Sequence, residues 1–480
     1  MNKATIHYHD IGDYLDQKEK LKIISNFKSF ANEQMPLQTL ESNEHGDWIS
    51  LRNDVFATFT PIESDKKFDL KAHSFFVVNS RGLETGRDAW IYNSSKQLLT
   101  ENIKHSVDFY NSEVERFIKA KTSNNNVLII DFIDANPSKI SWTSSLIDKL
   151  GKTEKALYEN NKIDTGVYRP FFKQQVYRGD KMIHRRGQFG EFFPNPTFQN
   201  LVICVSANSK DGSVLIADHI PDLHFNGDTQ CFPLYYYEEN NVAQKGLFDT
   251  LNPEPNTPNY IRRDAISDFI LEKAKKQYGI APSHLGRAGG GIIKEDIFYY
   301  VYGFLHSPSY REMFANDLKK MLPRLPLVED VRDFWKFSNA GRKLAELHLN
   351  YESVPGYEGC RVQGIDIPNP NPNTPNPFEV TKMRFPKKGE RDTIIYNNQI
   401  TVENIPEKAY EYVVNGKSAI EWVMERYQIS THKESGITNN PNDWAAEHQQ
   451  PRYILDLLLS IINVSLQTVD IVEGLPKVAF

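Results

Sequence analysis

The most apolar stretch of the chain, Tyr453 to Val472, does most to decide its class of fold. It approaches the length of a transmembrane helix, about 20 residues, but contains Asp456, Asn463, Gln467 and Asp470. A charge near the bilayer midplane costs about 2.5–3.5 kcal/mol on insertion scales, and two acids would have to enter. The run therefore reads as a helix buried in a globular core. Gly474, with Pro476 just beyond, supplies its stop.

A core of that kind sits in a chain of 480 residues, which is too long for one ordinary hydrophobic core and implies roughly two or three domains. The net charge of −6 excludes a protein that coats nucleic acid over its whole surface; a basic face has to be local. Cys204, Cys231 and Cys360 are widely spaced and odd in number, which excludes a disulfide framework and a CxxC metal site. The opening MNKATIHYHDIGDY has no apolar signal region. The expected setting is the cytoplasm, with no membrane partner.

Periodicity divides the chain into β-rich and helical stretches. Ala4–His9 alternates like a strand, Asp16 can cap a helix running to about Phe30, and Asp47–Ile62 looks extended. Phe75–Val78 reads as a strand leading into the loop SRGLETGRDAW. Ser95–Phe117 has the spacing of a long amphipathic helix, and Val127–Phe132 that of a buried strand. A helix is expected over Ser144–Leu150, then strands in NLVICVS, SVLIADHI and CFPLYYY. The polar segment Glu238–Asn259 marks a loop or boundary.

Helices are expected over Asp264–Tyr278, Lys294–Leu305, a stretch capped by Ser307 and running to Leu325, and Val331–Tyr351. The tract DIPNPNPNTPNP (366–377) can hold neither helix nor central strand, because proline removes donors at short intervals. A hairpin turning at Asn397-Asn398 follows, then a helix over Ala409–Tyr427 broken at Asn415-Gly416. The fold class is mixed α+β, with β-rich elements on a helical scaffold.

One stretch carries a binding signature. From Tyr168 to Pro194, Arg169, Lys173, Arg178, Lys181, His184, Arg185 and Arg186 alternate with tyrosines and phenylalanines, opposed only by Asp180 and Glu191. Cations neutralise phosphates and rings stack on bases; a strand pair with an aromatic core face and a solvated basic face gives the same pattern. The SRGLETGRDAW loop adds Arg81 and Arg87 beside two glycines, which permit close backbone approach. A second cluster, Lys382, Arg384, Lys387, Lys388 and Arg391, lies on and after a strand. Arginines there suit base edges, while lysines equally suit a solvated edge strand.

Catalytic patterns are not found. The nearest approach to the Asn/Asp-Pro-Pro-Tyr/Phe loop of an adenine methyltransferase is Asn376-Pro377-Phe378, which lacks the second proline. Gly151-Lys152-Thr153 and Gly416-Lys417-Ser418 end like phosphate-binding loops but lack the earlier glycine and a preceding buried strand. No HExxH, GxSxG or close His/Cys cluster occurs. No catalytic, cofactor-binding or metal residue is assigned.

Several strings, in one order through nearly the whole chain, resemble the C-terminal part of type ISP restriction–modification enzymes. They are IHYHDIGDYL, SRGLETGRDAWIYN, YRPFFKQQVY, QCFPLYYYEE, IFYYVYGFLHSPSYREMFANDLKKMLPRLPL, AGRKLAELHLNYE and YEYVVNGKSAIEWVMERYQ, followed by SGITNNPNDW and YILDLLLSII. The resemblance implies that residues 1–160 are the end of a methyltransferase region with connecting helices, and that 161–480 form a target-recognition domain. It implies duplex DNA as partner. Nuclease, helicase-like and adenine-N6 methyltransferase parts would be supplied by other sequence, as would sites for S-adenosylmethionine, ATP and Mg. The remaining partner would be that catalytic portion as a separate polypeptide.

On this reading Arg81, Arg87, Lys181 and Lys388 position the phosphates. Base readout falls to Arg178, Arg185, Arg186 and Arg384, with His184 and Lys382 in the same clusters. Two other readings stay open: an adenine-N6 methyltransferase active in its own right, and a non-catalytic protein-interaction remnant of a split gene.

Overall fold

The computed structural model describes residues 4–12, 15–123, 127–207, 212–240, 260–279, 291–365 and 376–480. Most of the 238–259 segment, the RAGGG stretch except its last glycine, and most of the 366–377 tract lie outside the described residues. The chain divides into two compact units, Met1–Thr58 and Phe59–Phe480. The expected boundary at 160 falls within the second unit, where strand Tyr92–Asn93 pairs with strand Phe172–Tyr177.

In the first unit the strand Ile6–Tyr8 pairs antiparallel with Gln38–Leu40. Helix Gln17–Phe27 begins with a reciprocal capping box between Asp16 and Glu19, which satisfies two backbone donors at once. None of its side chains is buried, and Leu21 and Ile24 are 57% and 56% exposed. The extended reading of Asp47–Ile62 is corrected: Asp54–Thr58 is helical.

The second unit is α+β, built on two four-stranded sheets. In one, Ile163–Arg169 and Phe172–Tyr177 form a hairpin, flanked by Tyr92–Asn93 and, in parallel, by Ile220–Pro221. In the other, Ser80–Arg81, Thr229–Pro233, Val202–Ser206 and Val214–Ala217 pair antiparallel in that order. The continuous apolar run of Val202–Ser206 is buried at every residue, as a strand covered on both faces must be.

Helices Lys294–Phe304 and Val331–Leu349 pack at a seam of two glycines. A Cβ on Gly303 would lie 2.1 Å from the Phe337 carbonyl oxygen, and one on Gly341 would lie 1.9 Å from that of Tyr299. Rings interlock around the seam, with Tyr300 stacked on Phe334 at 4.8 Å. Helix Tyr453–Glu473 buries Leu455, Leu458, Ile461, Ile462 and Val464. Its Thr468 hydroxyl bonds to Nε2 of His348, whose Nδ1 meets the Tyr302 hydroxyl at 2.6 Å. It is a core helix, with polar groups matched to partners inside the protein.

Four further expectations are corrected. Val127–Phe132 gives the short helix Ile129–Phe132 instead of a buried strand, with Leu128 and Ile130 about two-thirds exposed. Phe75–Val78 is buried, but only Phe76 makes a β-bridge, to Ile266. The stretch after Ser307 breaks at Phe314 into Pro308–Met313 and Ala315–Leu318, and Leu325 joins a strand. In place of a helix from Ala409, a 3₁₀ turn Glu407–Tyr410 leads to the hairpin Val413–Val414/Lys417–Ser418. Helix Ala419–Arg426 then starts with its own capping box.

Candidate nucleic-acid interface

Two arginine-bearing loops a hundred residues apart are zipped together. The Glu84 amide donates to the Arg185 carbonyl at 3.1 Å and the Arg185 amide returns the bond at 2.9 Å. The His184 amide donates to the Thr85 carbonyl at 3.2 Å. A third segment closes on the first loop at a glycine: a Cβ on Gly82 would lie 2.4 Å from the Asp222 carbonyl oxygen, and one on Gly86 would lie 2.5 Å from the Thr143 methyl. These glycines admit close packing within the protein, whereas the sequence suggested approach to a phosphate.

The cations of this region fall into two groups. Arg87 is buried, 3% exposed. Its guanidinium donates to the carbonyls of Ser141 and Met182 and to the Thr143 hydroxyl, and burial pulls it down to about 10. Arg178 is 7% exposed, held by Asp164 at 2.7 Å and by the Phe193 carbonyl. Both arginines knit the loops together, and their placement does not suit the phosphate and base contacts the sequence suggested for them. His184, half-buried, meets the Ser145 hydroxyl at 2.9 Å.

Arg81, Lys181, Arg185 and Arg186 reach the surface, and each faces an acid: Asp228 at 2.7 Å, Glu154 at 3.3 Å, Glu84 at 3.2 Å and Asp180 at 2.5 Å respectively. Arg185 is the most open, at 64%. Exposed pairs of this kind contribute about 0–1 kcal/mol, so exchanging a carboxylate for a phosphate costs little. The two phenylalanines of YRPFF are core: Phe171 and Phe172 are 4% and 3% exposed and pack edge-on against Tyr351 and Tyr427.

The second cluster lies on a different sheet. The Arg384 and Ile395 backbones exchange hydrogen bonds of 3.1 and 2.9 Å, which puts Arg384 at the edge of the 394–403 hairpin. Lys382, Arg384 and Lys388 are exposed and, among the described residues, form no ion pair. Arg391 is half engaged, by Glu421 at 3.1 Å and the Tyr410 ring.

Beside the zipped loops opens a cleft of about 840 Å³, bounded by residues 83–93, by Tyr168, Phe172 and Gln174, by Asp222–His224 and by the hairpin around Ser430–Asn439. Three of the lining residues converge on Arg169, which lies between Asp222 (2.5 Å) and Asp88 (3.7 Å) with its guanidinium 3.8 Å over the Tyr168 ring. Burial, then the charge of Asp88, pushes the Asp222 carboxyl up to about 6 against the pull of Arg169. Sequence reading missed this cluster, because Asp88 and Asp222 are 134 positions apart and neither belongs to a charge run.

The chemistry of a catalytic loop is not assembled at Asn376-Pro377-Phe378. The Asn376 side chain accepts from the Phe378 amide at 3.0 Å, and Phe378 is buried, 8% exposed. Glu44, His45 and Asp54 bring ligand atoms within 4.8 Å of one another in the first unit, but all three are exposed, and exposed acidic groups of this kind are common without an ion.

Residues 74–457 match the family model described as the Type ISP C-terminal specificity domain. The fold is similar to that of the ATP-dependent Type ISP restriction-modification enzyme LlaBIII bound to DNA, with TM-score 0.80 and 36% identity over 99% of this chain and 28% of that one. It is similar to a nuclease-deletion mutant of the Type ISP enzyme LlaGI in complex with a DNA substrate mimic, with TM-score 0.79 and 35% identity over 99% and 39% of the two chains. A cryoEM DrdV–DNA complex gives 0.76 and 25% identity over 99% and 44%. The chain thus spans less than half the length of these proteins. No curated protein matches it. The family model covers most of the chain, and the chain belongs to the Type ISP C-terminal specificity domain family.

Proposed function

We propose that this chain recognises duplex DNA by sequence on behalf of a restriction–modification enzyme that methylates adenine N6. The observation that carries this reading is the zipped loop pair, which brings Arg81, Lys181, Arg185 and Arg186 to the surface of a protein of net charge −6, each in an exposed and therefore weak ion pair, with the Arg185 partner Glu84 on the lining of the cleft. Exposed cations that can exchange a carboxylate for a phosphate are what a duplex requires. The DNA-bound relatives support the same reading.

Methyl transfer, ATP-driven motion and cleavage belong, on this proposal, to other parts of the enzyme, along with S-adenosylmethionine, ATP and Mg. The setting is cytoplasmic. Exposed apolar side chains in the first unit, including Leu21, Ile24, Phe30, Trp48 and Ile49, support docking of that unit on the methyltransferase part. The test is anisotropy of labelled random-sequence duplex against the purified chain at rising salt. Binding that weakens log-linearly with salt is expected, and no binding at low salt refutes the proposal.

A further inference from the structure

The cleft that the DNA reading places against the duplex has a chemistry of its own. Its lining carries five carboxylates, Glu84, Asp88, Asp222, Glu425 and Glu434, beside Arg87 and Arg426. Arg185, Arg169 and Lys417 pair with Glu84, Asp222 and Glu425, and Arg169 stands 3.7 Å from Asp88; a carboxylate oxygen with open lone pairs there attracts a hydrogen-bond donor. The exposed cations and the acids lining the cleft thus divide the labour between backbone positioning and base readout.

Asp88 is the acid placed to read. Its side chain is about a third exposed, while that of Asp222 is 2% exposed and engaged by Arg169. Thr85 donates to Oδ1 of Asp88, and the Tyr168 hydroxyl donates to Oδ2 at 3.3 Å. An ionised carboxylate accepts about four hydrogen bonds, so an oriented acceptor site remains toward the cleft. A second, independent observation points to a ligand. Tyr92 lines the same cleft, is 3% exposed, and its hydroxyl has no hydrogen-bond partner among the described residues. Buried hydroxyls are ordinarily paired.

An acceptor and a donor together match one base edge. In the major groove adenine offers its N6 amino group as donor and N7 as acceptor. We propose that Asp88 accepts from N6 of an adenine in the recognised sequence while Tyr92 donates to N7, directly or through one bridging water. Arg169 and Asp222 are positioning residues that hold the Asp88 carboxylate. The inference rests on the DNA reading and assigns its specificity-determining pair.

The experiment begins with duplexes selected by the wild-type chain from a random library. Each adenine of the recovered sequence is then replaced in turn by purine, which lacks N6, or by 7-deazaadenine, which lacks N7. At one position purine should weaken wild-type binding about tenfold, within the range for a single base contact. Asp88→Ala, which removes the acceptor, should bind adenine and purine equally there, and Tyr92→Phe should lose the response to 7-deazaadenine. Because Asp88 also borders a helical turn, Tyr92→Phe provides the arm that leaves the backbone untouched. Folded variants that keep the wild-type response at every adenine overturn the pair, as does a recovered sequence without adenine. A wild-type chain that selects no sequence overturns the DNA reading itself, a distinguishable outcome.

Discussion

Replacing Arg185 and Arg186 together by alanine separates a DNA-binding role from a structural one. Arg185 is 64% exposed with its guanidinium 3.2 Å from Glu84, and Arg186 is 37% exposed against Asp180. Each pair contributes about 0–1 kcal/mol, and the backbone bonds between Arg185 and Glu84 survive truncation. Folding stability should therefore fall by less than about 2 kcal/mol. Binding should change far more. Each phosphate neutralised contributes about 0.9 to the slope of log affinity on log salt, so two lost contacts flatten it by about 1.8. Over a fourfold rise in salt, the affinity gap between wild type and variant should then narrow by about tenfold. Anisotropy titrations at several salt concentrations, with a denaturation curve for each protein, read both quantities. A folded double variant with wild-type affinity and slope refutes the assignment.

Gly341→Ala should destabilise the second unit by about 1–3 kcal/mol or more, because the new Cβ would lie 1.9 Å from the Tyr299 carbonyl oxygen; a chemical denaturation midpoint that stays put contradicts the seam. His306 is buried, and desolvation, then the charge of Arg311, pulls its ring down to about 3. Below about pH 6.5 the unfolded chain takes up a proton that the folded ring refuses, so this residue's contribution to stability falls by about 1.4 kcal/mol per unit between pH 6 and 4. His306→Gln should lose that share of the acid sensitivity, measured as the change in denaturation midpoint between pH 7 and 5. The isolated chain incubated with duplex DNA and labelled S-adenosylmethionine should transfer no methyl group; turnover above background would overturn the division of labour proposed for this enzyme.

The long amphipathic helices were legible in the sequence because their apolar spacing is periodic: of the stripe Leu98, Ile103, Val107, Tyr110, Val114 and Phe117 in Lys96–Ser123, all but Leu98 are buried, and Leu99 is buried in its place. Asn415-Gly416 was read as a break in a helix, yet both residues adopt positive φ, 48° and 81°, and close a tight hairpin. Local turn chemistry outweighed helical spacing there. Val127–Phe132 shows the opposite failure, since a short apolar run cannot say which face is covered. At the interface, charge located the segment but could not sort its arginines. Arg87 donates to a carbonyl 95 positions away and Arg81 is paired with an acid 147 positions away, contacts that exist only once the sheets have formed.

The acids facing Arg81, Lys181, Arg185 and Arg186 also bear on the kinetics of search. On the proposed function, a phosphate at this rim has to displace Asp228, Glu154, Glu84 or Asp180, so each encounter gains little until the cleft is also filled. Affinity for irrelevant sequence stays low and departure from it fast. A protein that must sample a whole genome then loses little time at each wrong stop, and the long dwell is reserved for the site whose bases fit.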